Sequence, residues 1–343
     1  MVRRHLPPGR PVTGPDRGRV MSLLWGFFPA QVIQTLARLG VPDLLPMTLD
    51  ELTTRTATGA DGPARLLRAA RGLGLVDVEQ DGQWTLTADG TLLRSRTPGS
   101  VGNLAQLFCG GAVWRAWGEL EHSVRTGEPA LEKITGKAAF AAMADDPVML
   151  AIFTEAMAEG SRMAAPGVVQ TCDLAGVASL VDVGGGNGTL LLAYLDAHPN
   201  LRGTLFDLPS GVGDAAAVLG GRAEIVTGDF FLDVPSADAH VLKSVIHDWD
   251  DERSIVILRR VRAAMRERGR LFLVEPVLAE DPGGLAAQQV TLMSDLNMLV
   301  CTGGRERTLR EFTALLDAAG LALRDVRRVP PPTGFSVLTA VSA

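Results

Sequence analysis

Residues 180–191 read Leu-Val-Asp-Val-Gly-Gly-Gly-Asn-Gly-Thr-Leu-Leu, an apolar run that breaks into a glycine-rich turn and resumes with helical spacing. A strand entering such a turn lets the nucleotide part of a ligand approach backbone that side chains would otherwise shield. A dinucleotide fingerprint needs GxGxxG, but its last position falls on Thr189 or Leu191 here. The spacing present is DxGxGxG, through Asp182, Gly184, Gly186 and Gly188. It argues against a nicotinamide-dependent oxidoreductase and suits S-adenosylmethionine, whose ammonium and carboxylate replace a pyrophosphate.

Two carboxylates stand at the ends of the next apolar runs. Asp207 closes Gly203-Thr-Leu-Phe, where a second strand tip binds a ribose diol. Asp229, in Thr227-Gly-Asp-Phe-Phe, is placed to accept from an adenine amino group, with Phe230 against the ring. Either acid alone would suit a helix cap or a solvated turn. Their succession at strand tips is what points to one nucleoside site.

His247 follows Val241-Leu-Lys-Ser-Val-Ile directly, ahead of a helix that Asp250 or Asp251 would cap. Methyl transfer from a sulfonium is an in-line displacement whose nucleophile must lose a proton. A phenol (pKa about 10) is mostly neutral at pH 7, so an imidazole (pKa about 6.5) within reach would speed the attack as general base. Glu275 ends Leu271-Phe-Leu-Val, and Glu306 lies in Gly303-Gly-Arg-Glu-Arg-Thr. A carboxylate on one imidazole nitrogen fixes the tautomer and leaves the other for substrate. For Glu306, a surface pairing with Arg305 or Arg307 is the plainer alternative.

The elements that must carry these residues fall into blocks. Residues 1–19 read as a disordered arm, and 20–100 as a winged-helix-like module. The module comprises a buried helix over 21–40, a helix opened by Thr48 with Glu51, a helix over Pro63–Gly72, and a hairpin turning at Asp81-Gly82. Its third helix offers Arg65, Arg68 and Arg71 but no Asn, Gln or Lys to read bases, which argues for dimerisation over gene regulation. Residues 101–171 read as a helical connector, with helices at 102–107, 114–125, 136–143 and 147–163. From 172 to 343 helical stretches alternate with strands at 180–183, 203–207, 223–227, 239–245, 270–275, 322–328 and 335–341. That alternation predicts an α/β, doubly wound, seven-stranded Rossmann-like domain.

Composition fits this plan. With 46% hydrophobic and 21% charged residues, the 343-residue chain is profiled as a globular protein, and its net charge of −6 argues against nonspecific nucleic-acid binding. No apolar run approaches the ~18 residues of a membrane span, so no membrane partner is expected. Cys109, Cys172 and Cys301 have neither CxxC spacing nor even number, which fits a reducing, cytoplasmic setting without a zinc or disulfide framework.

Taken together the motifs resemble the small-molecule O-methyltransferases of the plant phenolic and bacterial polyketide type, over nearly the whole chain. The glycine signature is Asp182-Val-Gly-Gly-Gly-Asn-Gly, the ribose motif Phe206-Asp207-Leu208-Pro209, the adenine motif Gly228-Asp229-Phe230, and the catalytic segment Lys243-Ser244-Val-Ile-His247-Asp-Trp249. The resemblance implies metal-independent catalysis by His247 bracketed by Glu275 and Glu306, with Lys243, Ser244 and Trp249 around the cofactor. It implies S-adenosylhomocysteine as coproduct, an aromatic acceptor, and a homodimer formed through the N-terminal domain. It also implies a helix after Asp146-Pro147 on which Phe153 and Met157 clamp an aromatic ring and Ser161 reaches the cofactor, with Asn297 and Met298 as pocket residues. Gly160 stands where several relatives carry histidine. A metal-dependent catechol-type mechanism, and hydroxylase or decarboxylase chemistry on the same cofactor, are the weaker enzyme readings. A ligand-sensing DNA-binding regulator is the reading from another class.

Overall fold

The computed structural model describes residues 14–95 and 97–343. Most of the expected N-terminal arm therefore lies outside the described residues. Its end does not fit the expectation, because Asp16 caps a helix over Arg17–Leu24 through its bond from the Arg19 amide.

The single buried helix expected over 21–40 is instead two helices, Arg17–Leu24 and Phe27–Arg38, divided by a turn at Trp25-Gly26. Nor is it buried: Leu23, Leu24, Trp25, Phe27 and Phe28 are all about half exposed or more. Only the far end, at Gln34 and Leu36, enters a core. Taken as one 22-residue stretch, Arg17–Arg38 holds an 18-residue window of mean hydropathy 1.3 and is long and apolar enough to cross a membrane, by length and composition alone. The sequence reading, which looked for unbroken apolar runs, did not anticipate that.

The chain forms two compact units. One comprises the described residues up to Arg115 with Val148–Gly160; the other comprises Ala116–Pro147 with Ser161–Ala343. The helical connector of the sequence reading is thus shared between them. Its last helix runs Pro147–Thr171 and does not stop before Pro166, which sits inside it.

In the first unit, Thr48 and Glu51 form the expected capping box on the Leu49–Thr56 helix. The Asp61–Gly72 helix leads into the hairpin β1 (Val76–Val78) and β2 (Trp84–Leu86). Leu36, Leu45, Leu52, Leu67 and Val76 pack as its core. Buried Glu159 ties the long helix to the Gly102–Phe108 helix, accepting from the Asn103 and Leu104 amides and the Ser100 hydroxyl.

The second unit is built on a sheet of β3 (Ser179–Val183), β4 (Arg202–Asp207), β5 (Ala223–Thr227), β6 (Ala237–Lys243), β7 (Met265–Leu278), β8 (Arg307–Thr308), β9 (Leu321–Arg328) and β10 (Phe335–Ser342). The order is β5-β4-β3-β6-β7-β10-β9, with β8 paired to the end of β7. β5 through β7 run parallel, while β10 is antiparallel to both its neighbours. All seven expected strands are present, and only β8, two residues long, was not read from the sequence. Apolar side chains fill both faces of β3, β6 and β7, as a strand covered on both sides requires. The order reverses between β3 and β6, which opens a crevice at the carboxyl ends of these strands. Asp182, Asp207, Lys243 and Glu275 all lie at or near those ends.

Candidate active site

The turn after β3 is shaped by left-handed backbone at Gly184, Gly186 and Gly188 (φ 69°, 58° and 81°). At Gly186 an added Cβ would meet open space, so backbone there faces room for a ligand. Gly185, which the sequence reading passed over, has none: its Cβ would lie 2.6 Å from the Asp182 carboxyl carbon. Asp182 is fully buried beneath the turn, with Oδ2 unpartnered and its pKa pushed up to about 7 by burial.

Asp207 ends β4, beside the glycine turn. Its Oδ2 accepts from the Gly186 amide at 2.8 Å and its Oδ1 from the Leu208 amide at 2.7 Å. Burial raises its pKa against those two bonds. One oxygen of Asp229 is spent on the Phe231 amide, so this acid closes its own turn as well. Phe230 lies against Gly184 and meets Trp249 edge-on, with centroids 6.1 Å apart. Trp249 also stacks with Phe140 at 5.5 Å. The Lys243 ammonium lies over the Phe335 ring and within 3.4 Å of the Ser244 hydroxyl, and Ser244 has left-handed backbone (φ 55°). Burial lowers the Lys243 pKa, while Glu275 and Asp182 oppose that shift. An orphaned acid under a glycine turn, a lysine beside it and a carboxylate at the next strand tip are a donor set that fits a nucleoside bearing an amino-acid tail.

His247 lies in a 3-10 turn over Ile246–Asp248, just beyond β6. Its Nδ1 is 3.0 Å from Glu306 Oε1 and 3.7 Å from Glu275 Oε2. Glu275 accepts from the Val245 and Ile246 amides through Oε1, at 3.0 and 2.9 Å, which anchors β7 to the turn. Glu306 also accepts from the Ser294 hydroxyl at 2.7 Å, and its amide donates to Asp295. The plainer alternative of a surface Glu306–arginine pair therefore fails. The structure brings His247, Glu275 and Glu306 together.

Burial alone would lower the His247 pKa, but Glu275, Asp248 and Glu306 outweigh it and push it up to about 10. Glu275 is pushed up to about 7 by burial, and Asp248, 4.0 Å from Nε2, to about 6 for the same reason. The imidazole and two glutamates offer ligand atoms all within 4.8 Å, the one such cluster among the described residues. The 3.0 Å contact within it is the usual length of an N–H···O hydrogen bond.

Asn297 is tied by its Oδ1 to the Trp117 indole N–H at 2.9 Å, and Met298 is packed away at 8% exposure. Leu208 is 40% exposed beside Asp207. Gly160 and Ser161 are consecutive on the long helix, the first in one unit and the second in the other, and Phe153 and Met157 are half-buried residues of the first unit. Sequence reasoning missed Asp248, Ser294 and Arg307. The first had a signal in its position next to His247; the other two had none, because their partners are distant in sequence.

Comparison with known proteins bears on this geometry. Residues 117–322 match the family model for an O-methyltransferase domain, and residues 21–96 match that for an O-methyltransferase dimerisation domain. The latter includes most of the exposed apolar helices. An O-demethylpuromycin-O-methyltransferase from Streptomyces alboniger is 39% identical over 94% of this chain and 88% of its own. A phenazine O-methyltransferase from Lysobacter antibioticus is 37% identical over 94% of this chain and 95% of its own. An O-methyltransferase from neocarzinostatin biosynthesis, solved in complex with S-adenosylmethionine and 2-hydroxy-5-methyl naphthoic acid, superposes with a TM-score of 0.78. It is 30% identical and covers 96% of this chain and 100% of its own. The chain belongs to the O-methyltransferase family, with the family's dimerisation domain preceding its methyltransferase domain.

Proposed function

We propose that this enzyme transfers a methyl group from S-adenosylmethionine to a phenolic hydroxyl of an aromatic natural product, with His247 as general base and no metal ion. The observation that carries the reading is the His247 Nδ1–Glu306 contact at 3.0 Å with Glu275 at 3.7 Å. It commits Nδ1 to a carboxylate and leaves Nε2 as the nitrogen to take a proton. The named relatives support an aromatic acceptor.

When bound, the cofactor supplies an electrophilic methyl on a sulfonium, whose positive charge also works against the upward pKa shift of His247. Asp207 would hold the ribose diol, the turn from Gly184 to Gly188 the amino-acid tail, and Asp229 with Phe230 the adenine. His247 Nε2 would take the phenol proton and hold it on an imidazolium that the two glutamates stabilise, while the bound donor would give up its methyl to the phenol oxygen and keep the electron pair of the broken carbon–sulfur bond on sulfur.

Calorimetric titration with S-adenosylmethionine, using Asp207→Ala as control, tests the donor site. Methyl transfer to O-demethylpuromycin and to 2-hydroxy-5-methyl naphthoic acid, with His247→Ala in parallel, tests the chemistry. Absence of donor binding at millimolar concentration, or full activity in His247→Ala, would overturn the proposal.

A further inference from the structure

Arg307 has the largest side chain among the fully buried residues of the described chain. The sequence suggested a surface arginine. Instead its guanidinium reaches the turn that carries His247. Nη1 donates to the Ile246 carbonyl at 3.0 Å, and Nη2 donates to the Trp249 carbonyl at 2.7 Å. Nε and Nη2 both reach Asp251 Oδ1, at 3.1 and 2.8 Å, and longer contacts at 3.5 Å go to the Arg305 carbonyl and the Ser254 hydroxyl. The two carbonyls it grips bracket His247 and Asp248.

We infer that Arg307 is a positioning residue for the base: its planar fork clamps the carbonyl side of the His247 turn, opposite the amide side that Glu275 holds. A three-residue 3-10 turn cannot hold itself. Its own i→i+3 bonds, Asp248 to Val245 and Trp249 to Ile246, are long at 3.2 and 3.3 Å. The Arg305 amide adds a bond to the His247 carbonyl at 2.8 Å, from the strip of chain that Arg307 anchors. The same strip delivers Glu306, so one side chain sets both the imidazole and its partner. A lysine could not replace it, since an ammonium is a point donor and lacks the fork that spans two carbonyls. Burying a guanidinium against a single half-exposed carboxylate is a poor way to gain stability, whereas fixing a geometry is a use that repays it.

The inference rests on His247 being the base, and its test keeps the two apart. The groups facing His247 are Glu275 from β7, Glu306 from the strip before β8 and Asp248 from its own turn. Behind them stand Asp295, against the Glu306 amide, and Lys243, against Glu275. If the turn slackens, Nδ1 leaves Glu306 and the imidazole loses basicity. The experiment is an imidazole NMR titration of full-length protein saturated with S-adenosylhomocysteine, with His247→Ala to assign the resonance. It is run beside steady-state kinetics on 2-hydroxy-5-methyl naphthoic acid.

Arg307→Lys is expected to lower the His247 titration midpoint by about one pH unit. It should cut the alkaline-plateau kcat at least tenfold while changing donor affinity less than threefold, because its one contact with a residue expected at the donor site is through the Trp249 backbone carbonyl. Asp251→Asn, altered at an exposed carboxylate, keeps the test open if Arg307→Lys does not fold. It should move the midpoint in the same direction by less, and by more than Asp250→Asn, a neighbouring charge that does not touch Arg307. A midpoint unchanged in Arg307→Lys overturns the inference. If that variant does not fold, a midpoint no lower in Asp251→Asn than in Asp250→Asn overturns it. An active wild type whose activity survives His247→Ala refutes the base instead, whatever Arg307 does.

Discussion

Replacing Glu306 by glutamine probes the base with little change of volume. The amide oxygen can still accept from Nδ1, so the tautomer is kept and the charge alone is lost. That charge lies 3.0 Å from the imidazole, nearer than Glu275 at 3.7 Å or Asp248 at 4.0 Å. An opposite charge at such range shifts a pKa by about 1–3 units, or about 1.4–4 kcal/mol of imidazolium stabilisation. The wild-type imidazole is pushed up to about 10, so its neutral form grows with pH well beyond 6.5. The rate should therefore climb with pH through the neutral and alkaline range. In Glu306→Gln the climb should begin about 1–3 units lower, and the plateau should fall about 10- to 1000-fold as the imidazolium loses its partner. The assay is S-adenosylhomocysteine release from pH 5.5 to 10 with O-demethylpuromycin as acceptor, normalised to donor-bound enzyme. A profile that keeps its acid limb, with a plateau within threefold of wild type, would refute the reasoning. It would mean that Glu306 holds the backbone and not the proton.

Other perturbations follow from the same geometry. His247→Ala should cost about 10²–10⁴ in kcat and leave calorimetric donor affinity unchanged. Asp207→Ala removes the acceptor expected for a ribose diol, and with charge-assisted bonds worth about 1.5–3 kcal/mol its donor Kd should rise at least tenfold. Gly185→Ala would drive a methyl into the Asp182 carboxyl and Leu205, costing about 1–3 kcal/mol and lowering Tm by several degrees in a thermal melt. Because the dimerisation domain carries the exposed Leu24 and Phe28, changing both to aspartate should convert a dimer to a monomer by light scattering; an unchanged mass would clear these helices of the interface.

Much of the site was legible because its residues are local to strand ends. The glycines, Asp207 and Asp229 each follow an apolar run directly, and the pattern that predicts the strand also places the acid at its tip. The capping box at Thr48 and the hairpin turn at Asp81-Gly82 were readable for the same reason: their partners lie within three or four residues. Reading failed where burial is decided at a distance. The apolar spacing of 21–40 predicted a buried helix, but spacing says only that a face will be covered and not by what. The helix expected to end at 163 runs on through Pro166 to Thr171, and its later part packs Ala164, Ala165 and Val168 into the core; packing there outweighs the loss of one amide donor.

The sequence by itself determined the α/β plan, the acids at the strand tips and the histidine proposed here as the base. These depend on hydrophobic period and on residues adjacent in the chain. Only the tertiary structure decided which acid holds His247, because Glu275 and Glu306 come from elements 28 and 59 residues away whose register is set by β7 and β8. It alone turned Arg307 from a surface charge into a buried clamp. A guanidinium's role is fixed by the carbonyls within its reach, and those are brought together only when the sheet closes.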